Sequence, residues 1–301
     1  MKYIAVIILT SLLSFYSYAG MLDDRAKFSA ELIANSYKAD GPVRKVNRKG
    51  VRTIKYTSGN NKLSAYLYIP PETDKKKLPA IVWAHGGFGG IGPSLFEEQS
   101  PSNDQSVMQF VDAGMVVMTP SWRGENDNPG KFELFYGEVN DLLSAAGYLK
   151  TIDIVDQSRI YLGGHSTGGT LALLVAVAPN NLRAIFSFGG APDILSVVSN
   201  GEGYGNTPFN YKNKKESYLR SAINYVSDIK TKTFYFEGLS SYAGYALKMN
   251  ELASNYGVPF KAYIFPNGDH FNILYPLKRL IVKKIEEDKG EKTNISFDFN
   301  N

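Results

Sequence analysis

Ile160-Tyr161-Leu162-Gly163-Gly164-His165-Ser166-Thr167-Gly168-Gly169-Thr170-Leu171 decides the fold of this 301-residue chain. Residues 160–162 form a short apolar run with the character of a buried strand, and residues 168–177 carry a helical pattern. Between them stands Gly164-His165-Ser166-Thr167-Gly168, a G-x-S-x-G turn. A strand that bends sharply into a helix brings neighbouring backbone too close for side chains, which explains the glycines. The serine then projects at the start of the helix, where backbone N–H groups and the helix dipole favour developing negative charge. A glycine-rich turn with a capping serine would carry the same letters. The placement between strand and helix favours a nucleophile.

Outward from this turn, strand and helix alternate. Residues 51–56 and 63–69 flank Ser58-Gly59-Asn60-Asn61 and predict an N-terminal antiparallel hairpin. Apolar runs at 80–84, 115–119, 160–162, 184–188, 233–236 and 260–265 suit strands buried on both faces. Helical spacing at 104–113, 134–150, 168–177, 215–226, 244–256 and 272–287 separates them, with Leu142, Ala145, Ala146 and Leu149 on one face. Such alternation implies right-handed crossovers and an α/β fold with one largely parallel central sheet flanked by helices. Residues 195–214 fit neither pattern and read as a small lid insertion over the sheet's end. The expected organisation is a leader at 1–19, one domain over 20–287, and a polar, frayed tail at 288–301.

Two more motifs follow strands. His85-Gly86-Gly87-Phe88-Gly89-Gly90 comes after the 80–84 run. Acyl transfer needs rigid N–H donors for an oxyanion, and glycines let backbone approach a substrate closely. Asn267-Gly268-Asp269-His270 comes after the 260–265 run. A serine nucleophile needs a base within hydrogen-bond reach. The chain has three histidines. His85 shapes the glycine loop, and His165 adjoins the serine on a turn that points its ring elsewhere. Elimination leaves His270, whose position after the last strand suits a base.

Together these segments resemble the α/β-hydrolase superfamily, and most of all the catalytic domain of the prolyl oligopeptidase (S9) and acylaminoacyl-peptidase group. The likeness runs from about Lys62 to Leu280. It is carried by His85-Gly86-Gly87, Trp122-Arg123-Gly124, the helix at 138–149, Gly164-His165-Ser166-Thr167-Gly168 and the histidine near the C-terminus. The resemblance implies Ser166 as nucleophile, His270 as base, and the N–H groups of Thr167 and Gly87 (or Phe88) as oxyanion donors. The oligopeptidases of this group carry a β-propeller before the hydrolase domain. Too few residues precede the His-Gly-Gly strand here to build one, so size-gating of peptides is not expected.

The acid departs from the family pattern. Gly-x-x-Asp after the penultimate strand is replaced by Gly238-Leu239-Ser240-Ser241. Three alternatives stand: Glu237, which ends that strand and has a longer reach; Asp193, just past the preceding strand, which could equally cap a helix; or no carboxylate. Asp269 adjoins His270 and is badly placed to reach its ring. Triad roles are set by geometry rather than sequence slot, so the missing aspartate does not refute catalysis. Arg123, Glu125 and Asp127 either face the site or form a salt-bridged surface loop, and Asp141 reads as structural.

Composition narrows the class. The chain has no cysteine, which excludes disulfides, thiolate metal sites and a cysteine nucleophile. Three histidines make a multi-histidine metal centre a poor expectation. The net charge is +4 with Lys and Arg scattered, so nucleic acid is not an expected partner. Lys2, an apolar run from Ile4 to Leu13, and Ser17-Tyr18-Ala19 before Gly20 spell a secretory leader cleaved after Ala19, leaving no stable membrane span. The expectation is an exported, periplasmic or secreted serine hydrolase acting on small esters or short peptides without metal or cofactor. The alternative is a binding protein on a degenerate hydrolase scaffold. Composition does not address oligomeric state.

Overall fold

A computed structural model describes residues 20–33, 41–74, 76–201, 207–240 and 242–299. The predicted leader at 1–19, residue Ser241 and part of the 195–214 insertion lie outside the described residues. Eight strands form one sheet: β1 Val51–Ser58, β2 Asn61–Tyr68, β3 Leu78–Ala84, β4 Val116–Pro120, β5 Val155–His165, β6 Ile185–Phe188, β7 Thr233–Glu237 and β8 Phe260–Ile264. Their order is β1-β2-β4-β3-β5-β6-β7-β8. β1 pairs antiparallel with β2, as does β2 with β4, and every later pairing is parallel. The helices are α1 Met21–Ala26, α2 Met108–Asp112, α3 Glu138–Leu149, α4 Thr167–Ala176, α5 Ile194–Ser199, α6 Lys214–Tyr218, α7 Tyr242–Tyr256 and α8 Leu274–Glu287. This is the α/β-hydrolase arrangement.

The apolar runs are strands because both sheet faces are covered. Along β3, Ala80, Val82 and Ala84 pack into one layer with α3 and α4, while Ile81 and Trp83 pack into the other with α2 and α8. That is the two-residue period of a strand feeding two cores.

Three expected helices are trimmed, each for a local reason. The helix expected at 104–113 starts at Met108, because the Asp104 carboxylate accepts from the Ser106 N–H (3.1 Å) and hydroxyl (2.6 Å) and holds a turn instead. The helix expected at 134–150 starts at Glu138, because Leu134 and Phe135 lie at φ +52° and +69°. The helix expected at 215–226 divides into α6 and a 3₁₀ turn at Ala222–Asp228, with Tyr225 non-helical.

The end of the insertion and the segment after it are bonded to residues remote in sequence. Ile33 N–H donates to the Pro208 carbonyl (2.7 Å), and Glu31 N–H to Glu216 (2.9 Å). Arg220, fully buried, donates to the carbonyls of Leu134 (2.8 Å), Glu133 (3.1 Å) and Glu216 (2.9 Å). Arg25 serves the carbonyls of Phe135, Tyr136 and Leu219 at 2.7–2.8 Å. Two arginines thus satisfy four successive carbonyls, 133–136, across the left-handed residues and hold that conformation in place.

The tail differs from the frayed segment expected. Asp288 is fully buried, accepting from Arg183 (2.9 and 3.0 Å), Tyr161 (2.7 Å), Thr293 (2.9 Å) and the Asn294 N–H (3.0 Å). Burial alone would raise its carboxyl, but these donors outweigh it and hold it at about 2. The anchor therefore supports the fold fully above the ordinary carboxylate range and fades as pH falls through about 2. Beyond it Ile295 and Phe297 are buried, and Phe297 packs edge-on to Phe234 (4.8 Å) and Phe236 (5.1 Å). The signal was the alternation Ile295, Phe297, Phe299 with Ser296 and Asp298 between, which covers the phenylalanine-rich face of β6 to β8. Phe297→Ala should lower unfolding free energy by about 3 kcal/mol, read as a shift of the urea midpoint. An unchanged midpoint would return the tail to the frayed class.

Candidate active site

β5 ends at His165 and α4 begins at Thr167, so Ser166 alone makes the turn. It does so at φ +54°, ψ −111°, a conformation costly for a residue with a side chain. The turn is held by the Ser166 N–H donating to the Phe188 carbonyl of β6 (2.8 Å). A Cβ at Gly164 would lie 2.3 Å from the Gly168 carbonyl oxygen, and one at Gly168 would lie 2.1 Å from that of Ala84. Both glycines are required by close backbone approach, as the motif predicts.

The His-Gly-Gly loop lies beside this turn. Thr167 Oγ1 donates to the Gly87 carbonyl (2.8 Å), which places Thr167 and Gly87, at φ +78°, side by side. His85 is structural, as expected. Its ring stacks on Trp122 at 4.6 Å and an interplanar angle of 5°. Nδ1 faces the Gly86 carbonyl (3.0 Å) and Nε2 faces Glu125 (3.3 Å). Burial alone would lower this imidazole, but the Glu125 charge and both hydrogen bonds raise it overall. Two acceptor-only partners suit a ring that carries both protons. Glu125 also accepts from the Gly89 N–H (3.3 Å) and is almost wholly buried, so it braces the glycine loop rather than joining a surface network. Arg123 pairs with Asp141 (2.8 Å) and Glu133 (2.9 Å), and Asp127 faces Lys55 (3.8 Å). Asp141 is structural, as read.

The base loop follows β8. His270 Nδ1 lies 3.1 Å from Glu237 Oε2, and the Glu237 side chain is fully buried. Glu237 Oε1 accepts from the Gly238 N–H (2.8 Å). The loops after β7 and β8 are joined by Leu239 N–H donating to the Gly268 carbonyl (3.0 Å). Of the acids weighed from sequence, Glu237 therefore meets the ring. Asp193 does not serve there. It caps α5, accepting from the Ser196 N–H (3.0 Å) and hydroxyl (2.7 Å). Asp269 accepts from the N–H groups of Phe271 and Asn272 (both 2.7 Å) and caps its own turn.

Gly189 is a residue the sequence reading missed. It follows β6 at φ +56°, and a Cβ there would lie 2.5 Å from His270 Nδ1 and 2.6 Å from Glu237 Oε2. The pair packs directly on its Cα, which Gly189-Gly190 after an apolar strand could have signalled. Leu239, on the loop after β7, and Phe271, next to His270, are exposed. Among the described residues, no group of three His, Cys, Asp or Glu side chains is arranged to hold a metal, and no helix is long and apolar enough to cross a membrane. The arrangement can activate a hydroxyl nucleophile through an oriented imidazole beside backbone donors.

Residues 101–286 match the sequence profile of the prolyl oligopeptidase family. Dipeptidyl-peptidase 5 of Porphyromonas gingivalis is 26% identical over 253 residues, covering 76% of this chain and 36% of that protein. The chain spans about half the length of other curated relatives it matches, 48% and 52% in two cases. Among solved structures, the acylaminoacyl peptidase of Pyrococcus horikoshii superposes with a TM-score of 0.64 at 18% identity, over 82% of this chain and 43% of that one. An esterase of Pyrococcus furiosus superposes with a TM-score of 0.59 at 17% identity, over 84% of this chain and 97% of that one. At these identities the structural likeness speaks to fold.

Proposed function

The chain belongs to the prolyl oligopeptidase family, and from that premise we propose that it is an exported serine hydrolase that cleaves small esters or short peptides through an acyl-enzyme. The observation that carries the reading is the Glu237–His270 pair at 3.1 Å, set at the same sheet end as the strained Ser166 turn. In the proposed cycle Ser166 Oγ attacks the substrate carbonyl carbon. His270, its Nδ1–H held by Glu237, takes the serine proton on Nε2. The carbonyl oxygen becomes an oxyanion received by the N–H groups of Thr167 and Gly87. Collapse of the tetrahedral species breaks the bond to the leaving group, which His270 protonates. Water then attacks the acyl-serine, His270 takes its proton, and release of the acid restores Ser166. Glu237 orients the ring and stabilises the imidazolium.

A fluorophosphonate probe tests the reading without a guessed substrate. Stoichiometric labelling at Ser166, located by peptide mass, is expected, and no labelling of folded protein would overturn it. Export has its own check. The leader predicts a mature chain beginning at Gly20, so N-terminal sequencing of the exported fraction should start there. Retention of Met1 in a membrane pellet would replace export with anchoring.

A further inference from the structure

Of three histidines, His85 braces the glycine loop and His270 faces Glu237. His165 remains. Its ring is 1% exposed, and it stands one residue before Ser166 on β5. Nε2 lies 3.0 Å from the backbone carbonyl oxygen of His270. A carbonyl only accepts, so Nε2 carries the proton and Nδ1 the lone pair. The two imidazole centroids are 4.7 Å apart, and Phe271 meets both rings edge-on, His165 at 5.6 Å and His270 at 5.0 Å. On its other flank the ring meets the glycine loop: a Cβ at Gly86 would lie 2.8 Å from His165 Nδ1. Nδ1 itself is buried with no hydrogen-bond partner. A cavity of about 250 Å³ lined by Gly86, Ser94, Gln99, Gln105 and His165 adjoins this contact. One ring therefore touches three separate loops: the serine turn, the glycine loop and the base loop.

We propose that His165 is a positioning residue of the active site, whose Nε2–H grips the His270 carbonyl and fixes the base loop against the serine turn. This rests on the hydrolase reading above for its kinetic consequence. Glu237 holds the far ring nitrogen of His270, and His165 holds the backbone from which that ring hangs. Together they fix both where the imidazole sits and which way it faces. A grip of this kind needs a proton on Nε2, which in the neutral ring means the Nε2–H tautomer. Burial, then the charge of His270, pushes the His165 imidazole down to about 3. The other cation acting on it is Lys278 of α8, itself paired with Asp104 at 3.0 Å, and it acts in the same direction.

With three histidines, the ¹⁵N-imidazole spectrum resolves every ring, and His165→Gln assigns the signal by removing it. In the wild type, His165 should show an Nε2–H neutral ring from pH 8 down to about pH 4. An Nδ1–H tautomer overturns the contact whether or not the protein turns over substrate. Two variants then separate the donor from mere bulk. His165→Phe fills the space without a donor. It should lower kcat for p-nitrophenyl acetate by about 10- to 100-fold with KM little changed. His165→Gln keeps an amide N–H near the Nε2 position and should retain kcat within about fivefold of the wild type. Equal loss in both variants, or none in His165→Phe, sinks the proposal. If His165→Phe does not fold, the wild-type tautomer and the His165→Gln rate still decide. Failure of the fluorophosphonate to label wild-type protein would count against the hydrolase reading alone, because the tautomer measurement needs no activity.

Discussion

Ser166→Ala is expected to abolish fluorophosphonate labelling and to lower kcat/KM for p-nitrophenyl acetate by about 10⁴-fold or more. The size follows from what the substitution removes. Without Oγ no acyl-enzyme forms, and His270 is left as a base with no positioned nucleophile. On the proposed mechanism, the residual rate comes from water attacking a carbonyl whose oxygen the N–H groups of Thr167 and Gly87 still receive. Folding should be untouched or slightly improved. Ser166 holds its φ of +54° through its N–H bond to Phe188 and the glycine packing around it, none of which involves Oγ. Circular dichroism and the urea midpoint should therefore match the wild type while activity disappears. An alanine variant that hydrolyses at the wild-type rate would remove Ser166 from the chemistry.

Glu237→Gln should lower kcat by about 10²- to 10⁴-fold with little change in KM. The carboxylate is fully buried, accepts from the Gly238 N–H and lies 3.1 Å from His270 Nδ1. The amide keeps the volume but carries no charge. It no longer selects the Nδ1–H tautomer or stabilises the imidazolium that forms as Ser166 loses its proton. That stabilisation exists in the transition state and not in the ground state, so the loss falls on kcat. Asp193→Asn is the matched control. Its carboxylate caps α5 through Ser196, and asparagine caps nearly as well, so the expected change is within about 1 kcal/mol of stability and no change in rate. A dead Asp193→Asn beside an active Glu237→Gln would move the acid to the loop after β6.

The carboxylate that meets His270 shows where linear sequence stops. Relatives place an aspartate several residues past the penultimate strand, and here that slot holds serine. Glu237, Asp193 and no carboxylate are all open on sequence grounds, the first two because each ends or follows a strand on the side of the sheet where the base must lie. Distance separated them: the side chain of Glu237, one methylene longer than aspartate, reaches the ring from the strand end itself. The tail is a second case. Its charged and polar letters suggested solvent, while the alternation of Ile295, Phe297 and Phe299 carried the opposite message. That alternation matters only once a phenylalanine-rich face on β6 to β8 exists to receive it.

Local rules were enough for much of the molecule. Strand and helix period, the flanking glycines of Ser166 and the order of the three motifs specified a doubly covered parallel sheet, the serine turn, the glycine loop and the base loop. These are properties of consecutive residues, because pleat, helical repeat and steric crowding at a turn act over a few bonds. Tertiary structure alone decided which carboxylate meets His270, that Glu125 is buried beneath the glycine loop, that Gly189 must lack a side chain, and that His165 grips the base loop. Each depends on a contact between segments remote in sequence, such as His165 with His270 or Glu125 with His85. The distance across such a contact is set by how the sheet stacks its strand ends, a quantity no stretch of adjacent residues encodes.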